Sequence, residues 1–516
     1  MKFYYPRAIY NRMAMNIKAA ALLIVSTVVV LILSSYIITV TRREEVGPLP
    51  PPPPPPLAEV EGPSIPVDTA PRGTNEPSIA VSPINPDVMV AATNDYNGPS
   101  GDAWVAYYYS EDGGKTWSKG WIPGYPDNPS PSNIRSPLYG FDGTGDPVVA
   151  FDKDGNCYIA GIAFQRAPSA PFPKKYSNIW VARSNDGGKT FRWQDISLIV
   201  GPSMRTKLNF HDKEWIATNP VNGDVYCVWA AFATRGAVVA NMVFSRSEDG
   251  GRTWTDLKII SEVTNFQLQN QGSYVEVDDR GRIHVVWIDY GVNQIVYCYS
   301  DDRGETFTTP RPIAPVEPLP RTIPGNSYRT PTMPAMAVDR NPESPYYGSV
   351  YVVYPTSNST PESVNGDIMM VFSRDRGSTW SEPTRVNNDS TTADQFFPAV
   401  AVSENGLVHV VFYDRRDDPE NRLIHLYYAL SSDGGVTFPL QFNVTERPFD
   451  GNAGGSPGAS SAFIGDYIDI DLSGGVAHPV WTDARDGEPT SDGLNADLYT
   501  ARILYYTGNL TAAGGG

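Results

Sequence analysis

The chain has 516 residues, is rich in glycine, proline and tyrosine (45, 47 and 29), and carries a formal net charge of −17. So acidic a body is not built to grip nucleic acid or an anionic membrane surface, and three cysteines are too few for a disulfide framework. Short apolar runs separated by turn residues, with no amphipathic helix in the body, read as an all-β fold.

In chain order, residues 1–18 form a basic amino-terminal segment carrying Lys2, Arg7, Arg12 and Lys18. Residues 19–40, "AAALLIVSTVVVLILSSYIITV", make 22 positions without a charge. At ~1.5 Å per residue they are long enough for a transmembrane helix, and "TVTRREE" follows in place of a signal-peptidase site. The positive-inside bias predicts a single-pass signal anchor, with the N-terminus cytoplasmic and the C-terminal body extracellular, so that the membrane is a partner through this helix. Residues 41–70 read as a stalk, with seven consecutive prolines from Pro50 to Pro56 in polyproline II conformation. Outside residence suits four glycosylation triplets, at Asn358, Asn388, Asn443 and Asn509. A short tail, 511–516, closes the chain.

Residues 71–510 are periodic. The strand pattern "GNCYIAG" from Gly155 returns as "GDVYCVW" from Gly223, "GRIHVVW" from Gly281, "GSVYVVY" from Gly348, "GLVHVVF" from Gly406 and "GVAHPVW" from Gly475. A degenerate first copy, "PDVMVAA", starts at Pro86, which makes seven units spaced 58 to 69 residues apart. Each unit reads as four antiparallel strands, the size of one propeller blade, so the spacing predicts a seven-bladed β-propeller, with six blades as the alternative. The seventh unit lacks an outer strand, and residues near 64–74 are placed to supply it by ring closure. His284, His409 and His478 occupy positions held by Tyr158, Tyr226 and Tyr351 in sister units, which makes them strand residues rather than ligands.

Between third and fourth strands stands a recurring octapeptide: "SEDGGKTW" from Ser110, "SNDGGKTF" from Ser184, "SEDGGRTW" from Ser247, "SDDRGETF" from Ser300, "SRDRGSTW" from Ser373 and "SSDGGVTF" from Ser431. Asp and Thr side chains that bond the turn's own backbone, a Gly in a conformation closed to other residues and a terminal aromatic are the parts of a fastener. Six copies are what structure needs, whereas a catalytic group is needed once. This motif resembles the Asp box of the sialidase-like superfamily of BNR-repeat propellers, a likeness that covers nearly all of 75–505. The resemblance implies a glycan or glycoprotein ligand. In sialidases it further implies three substrate-binding arginines, a Tyr nucleophile activated by a Glu, and an Asp acid/base. Where the family's first arginine belongs, this chain reads "TNEPSIAV", with Asn75; Asp102 matches the place of the acid/base, with Asp95 as its alternative.

Independently of the family, the long irregular stretches 119–145, 165–178, 195–211, 309–331, 384–395, 444–462 and 484–495 all belong on one face of the ring, where binding and chemistry usually sit. Strand starts there offer Asp146, His211, Asp212, Glu214, Arg329, Asp394, Asp466 and Tyr467; second-strand ends offer Asp289, Asp414, Arg415, Arg416, Asp483 and Arg485. Crowded carboxylates shift one another's pKa values. The expected catalytic set is Asp102, Glu214, Asp466 and Tyr467. The expected substrate-binding set is Arg329, Arg415, Arg416, Arg485, Asp212 and Asp394, with Ca²⁺ as the one cofactor such carboxylates would admit. The expectation is therefore a membrane-anchored extracellular propeller acting on glycans as an exo-sialidase-like glycoside hydrolase; the alternative is a non-catalytic propeller that binds carbohydrate or protein partners.

Overall fold

The computed structural model describes residues 57–506 apart from 98–101, 127–128, 167–176, 201–209, 236, 262–268, 360–363, 455–461 and 487–495. The expected membrane helix, most of the proline stalk and the C-terminal tail lie outside the described residues. Among the described residues no helix is long and apolar enough to cross a membrane.

Period-two apolar runs punctuated by tight turns leave antiparallel meanders as the available local structure. The described strands form seven sheets, each with a four-stranded antiparallel meander at its heart, its strands consecutive in the chain in six of the seven. The innermost strands are Thr74–Val81, Gly143–Phe151, Phe210–Thr218, Asn270–Val277, Ala335–Val338, Gln395–Val402 and Asp469–Ser473. The ring has seven blades, so the six-bladed alternative is excluded.

Closure follows the expected route. In the seventh blade Ile65–Asp68 pairs with Asp497–Thr500 as the fourth strand. Beyond expectation, Leu57–Val60 also pairs with Ile503–Tyr506, joining the first and last described strands of the chain. Residues 57–68, expected to belong to the stalk, instead supply two strands to the seventh blade, because they give backbone partners to an otherwise open sheet edge.

Apolar cores lie between adjacent blades; one joins Val90 and Trp104 of the first blade to Ile159 and Trp180 of the second. Trp104, Trp180, Trp229, Trp287 and Trp481 are fully buried. Each indole N–H is nevertheless satisfied, as in Trp229 Nε1 donating to His211 Nδ1 at 2.8 Å and Trp287 Nε1 to Asn270 Oδ1 at 2.8 Å. The three cysteines are buried and unpaired. His284 and His409 sit in the cores against tyrosine hydroxyls, each at 2.7 Å, in keeping with structural roles.

The octapeptide turns are built as fasteners. In the third, Asp249 Oδ1 accepts from the Ser247 hydroxyl at 2.8 Å and from the amides of Arg252 and Thr253, while Oδ2 accepts from the Thr253 hydroxyl at 2.7 Å. The second box shows why Gly is required: at Gly188, with φ +87°, a Cβ would meet Val90 at 2.1 Å. Burial works to raise the Asp249 carboxyl, but these donors outweigh it and hold the group down at about 2. A folded-state pKa below the unfolded value means the contribution is present above about pH 4 and lost as the pH falls toward 2. Asp249→Ala is expected to cost about 1–2 kcal/mol at pH 7 and progressively less below pH 4, measured by denaturant titration.

Candidate functional site

Five of the innermost strands carry a one-residue register break near the same end, between Asn75 and Ser78, Gly145 and Val148, Asp212 and Trp215, Gln271 and Tyr274, and Phe396 and Ala399. A bulge of this kind re-aims a side chain. The residue at each break is left-handed: Glu76, Asp146, Lys213, Gly272 and Phe397, with φ between 51° and 61°. Met333 and Asp466 hold the same offset in the fifth and seventh repeats. The ring of bulges is thus two-sided: the seventh, first, second and third blades contribute charge, and the fourth to sixth contribute Gly272, Met333 and Phe397.

The charged side converges on Lys213. Its Nζ lies 2.6 Å from Glu76 Oε1, 2.9 Å from Asp146 Oδ2 and 2.7 Å from Asp466 Oδ2, in a buried cluster. Arg329, from the long loop before the fifth blade, places both prongs on Asp466, with Nε 2.6 Å from Oδ1. Asn94 Nδ2 donates to Glu76 Oε2 at 2.7 Å, and Asn94 Oδ1 accepts from the Asp146 amide at 2.8 Å.

This environment splits the carboxyl groups into two kinds. Burial, reinforced by the neighbouring Asp146 charge, raises Glu76 well above the usual range despite Lys213. Asp146 and Asp466 feel the same burial, but Lys213, helped at Asp466 by Arg329, overcomes it and holds both below their ordinary values. Asp212, accepting from Gln271 Nε2 at 3.1 Å, is pushed by burial and by Asp146 up to about 7. Glu214 is 2% exposed and neither of its oxygens has a partner among the described residues. Burial and Asp146 raise it strongly. Tyr467 stays a phenol: burial, then the charges of Glu76, Asp146, Glu214 and Asp466, push it upward, and its hydroxyl donates to the Pro147 carbonyl at 3.2 Å.

The cluster partitions two spaces. Toward the long loops is a pocket of about 430 Å³, lined by Glu76, Asp146, Asp212 and Arg329 together with Tyr96, Phe164, Phe210 and Phe463. Toward the axis is a small cavity of about 40 Å³, bordered by Lys213, Glu214, Ser273, Met333, Phe397 and Tyr467. The second has room for two or three water molecules beside the Glu214 carboxyl.

The octapeptides take no part in lining the pocket. Residues 108–119, around the first of them, match the BNR/Asp-box repeat family. The chain is a seven-bladed propeller whose corner turns carry the Asp-box motif. A comparison with curated proteins gives no match. Among solved structures, the Asp-box propeller is similar to a Dyadobacter fermentans protein of unknown function, at 16% identity and a TM-score of 0.47, over 69% of this chain and 94% of that one. It is similar to a leech intramolecular trans-sialidase at 14% and 0.46, over 73% of this chain and 71% of that one. It is also similar to an ulvan lyase of polysaccharide lyase family 25 at 12% and 0.48, over 85% and 96%. At these identities and TM-scores no statement about activity follows.

The Asp-box propeller brings Asp212, Glu214, Arg329, Asp466 and Tyr467 to one place, from among the residues expected by sequence. Asp102 stands at the pocket's edge, its carboxylate gripped by Arg166 at 2.7 and 2.9 Å. The alternative, Asp95, is instead tied to Lys119 and Tyr108 within the first blade. Four expected residues are elsewhere. Asp394 fastens a loop, accepting from the Gly366 amide at 3.0 Å and Asn421 Nδ2 at 2.7 Å. Arg415 is fully buried, donating to Asn421 O and Asn326 Oδ1. Arg416 pairs with Asp414 and Arg485 with Asp483, each two residues away, at 2.7 and 2.6 Å. These arginines are committed to protein partners, Arg485 also to Glu446 at 2.7 Å, and form no shared anion clamp.

Glu76 and Lys213 were not singled out by sequence. Glu76 follows Asn75 in a stretch read only for its missing arginine, and Lys213 sits between two acids that draw attention from it. Alignment of the five bulges with the matching offsets in the other two repeats is the signal that finds both. As for Ca²⁺, no group of three or more His, Cys, Asp or Glu among the described residues is arranged to hold a metal. Within the cluster the ammonium of Lys213 already stands between the carboxylates that would ligate one.

Proposed function

We propose that this protein is a glycan-directed propeller that hydrolyses glycosidic bonds at the loop-face pocket, held outside the cell by its apolar N-terminal segment and proline stalk. One observation carries the reading: carboxyl groups around one pocket are pushed to opposite protonation states. On that pocket Asp212 sits near 7 while Asp146 is held ionised. Acid/base hydrolysis of a glycoside requires such a split. Asp212 is a group able to donate a proton to a leaving oxygen at neutral pH, within a pocket of sugar-ring size walled by aromatic rings.

The test is turnover by the full chain on a panel of aryl glycosides, the sialoside included. Asp212→Asn is expected to lower it by about 10²- to 10⁴-fold without changing the melting temperature. Because the acid form of Asp212 is lost as pH rises through its pKa, activity is expected to fall on the alkaline side of about 7. Unchanged turnover in the variant would remove Asp212 from the chemistry; no turnover on any member of the panel would remove hydrolysis altogether. In that case a non-catalytic glycan- or protein-binding platform takes its place. That second reading draws support from Tyr467, expected from its strand-start position to be catalytic, which is a phenol engaged with the Pro147 carbonyl.

A further inference from the structure

We infer that the loop-face pocket takes an uncharged, hydroxyl-rich sugar ring, and that carboxylated sugars are poor ligands for it. This rests on the glycan-directed reading above and adds the class of sugar, departing from the acidic sugar that the family resemblance implies.

The first ground is the commitment of the cations. Among the described residues, three positive side chains reach this region. Lys213 is shared by three carboxylates at 2.6–2.9 Å. Arg329 has two prongs on Asp466, and Arg166 two on Asp102. A guanidinium recognises a carboxylate best through two parallel N–H donors. Here those donors are already aligned on protein carboxylates, so an incoming carboxylate must break a pair that is in place before it binds. Nor does the neighbouring strand offer another. Asn75 is buried, its amide donating toward the Phe463 carbonyl at 3.4 Å and its Oδ1 accepting from Asn94 at 3.0 Å.

The second ground is the balance of charge and of hydrogen-bonding capacity. Five acids (Glu76, Asp102, Asp146, Asp212 and Asp466) face three cations, an excess that repels an anion. Burial raises Glu76 and Asp212 lies near 7, so the excess at neutral pH is smaller than the count of acids, and a cationic sugar gains less from it than five carboxylates would offer. What remains is a surplus of acceptor oxygens, best met by hydroxyl donors. Phe210, at 36% exposure, and Phe463 supply apolar surface for the C–H face of a ring.

The experiment is binding of the full chain, by calorimetry at pH 7, to neutral oligosaccharides of hexose, pentose and N-acetylhexosamine, and to their sialylated, uronic-acid and amino-sugar counterparts. The best neutral probe is expected to bind at least about tenfold more tightly than any charged counterpart. Asp102→Asn, which releases Arg166, is expected to tighten binding of the carboxylated probes several-fold and so narrow the gap. Carboxylated or amino sugars that match or exceed the neutral probe overturn the class of sugar and leave the glycan-directed reading standing. Absence of any binding overturns both. An unchanged gap in Asp102→Asn overturns the argument that the existing pair keeps Arg166 from anions.

Discussion

Lys213→Met is expected to destabilise the protein by about 3–5 kcal/mol at pH 7.5, the cost of leaving buried charges without their partner. Among the described residues the ammonium is the one group that touches Glu76, Asp146 and Asp466 together, and all four side chains are at most 10% exposed. Without it, only the guanidinium of Arg329 offsets the acids. Their pKa values then rise above those of the unfolded chain, which penalises the ionised folded state. A raised folded-state pKa makes the deficit largest at high pH and smaller as the solution is acidified and the acids protonate. Thermal unfolding at pH 7.5 and pH 5 is therefore expected to give a large loss that shrinks at the lower pH. Lys213→Arg, which keeps the charge, separates this effect from loss of packing and should recover much of the stability. A loss equal at both pH values would show that the ammonium acts through shape rather than charge.

A chain beginning at Thr69 is expected to lose cooperative folding, whereas one beginning at Leu57 is expected to melt like the full protein. The difference lies in residues 57–68, which supply two strands of the seventh blade. Their removal does more than expose an edge. Asp68 accepts from the Tyr108 hydroxyl at 2.5 Å and from Lys119 Nζ at 2.6 Å, linking the closing blade to the first. The Ser64 hydroxyl donates to Glu446 at 3.0 Å, linking it to the sixth. Size-exclusion chromatography and circular-dichroism melting would check the pair of truncations. A synthetic peptide of residues 57–68, added in trans, is expected to restore a single sharp transition by strand addition. Equal melting of the two truncations would show that the ring holds without its first strands.

Blade number and ring closure were legible in the sequence because both are written locally. The six octapeptides repeat at equivalent corners, and the seventh unit visibly lacks a fourth strand. The pocket was legible only in part. Asp212, Glu214, Asp466 and Tyr467 stood out as irregular acids and an aromatic at strand starts on the long-loop face. Glu76 and Lys213 did not, because a bulge is a fault in the period-two pattern, and a strand read by its alternation cannot say which side chain the fault redirects. Arg416 and Arg485 were drawn toward the site by their charge. What the linear reading lacked was distance: Asp414 and Asp483 lie two residues away and take up those guanidinium groups before any ligand arrives.

The pairing of Leu57–Val60 with Ile503–Tyr506 has a consequence for how the protein is made. The first six blades are contiguous meanders, each able to form as soon as it clears the ribosome, since its contacts are short in sequence. The seventh cannot. Its outer strands emerge at the start of translation and its inner ones at the end, so the early strands wait unpaired through nearly the whole of synthesis. That gives this step a high contact order and places the slow, aggregation-exposed phase of folding after residues 497–506 have emerged. A ribosome stalled before Asp497 would hold a nascent ring with two open blade edges, which is a ligand for chaperones that recognise unpaired strands.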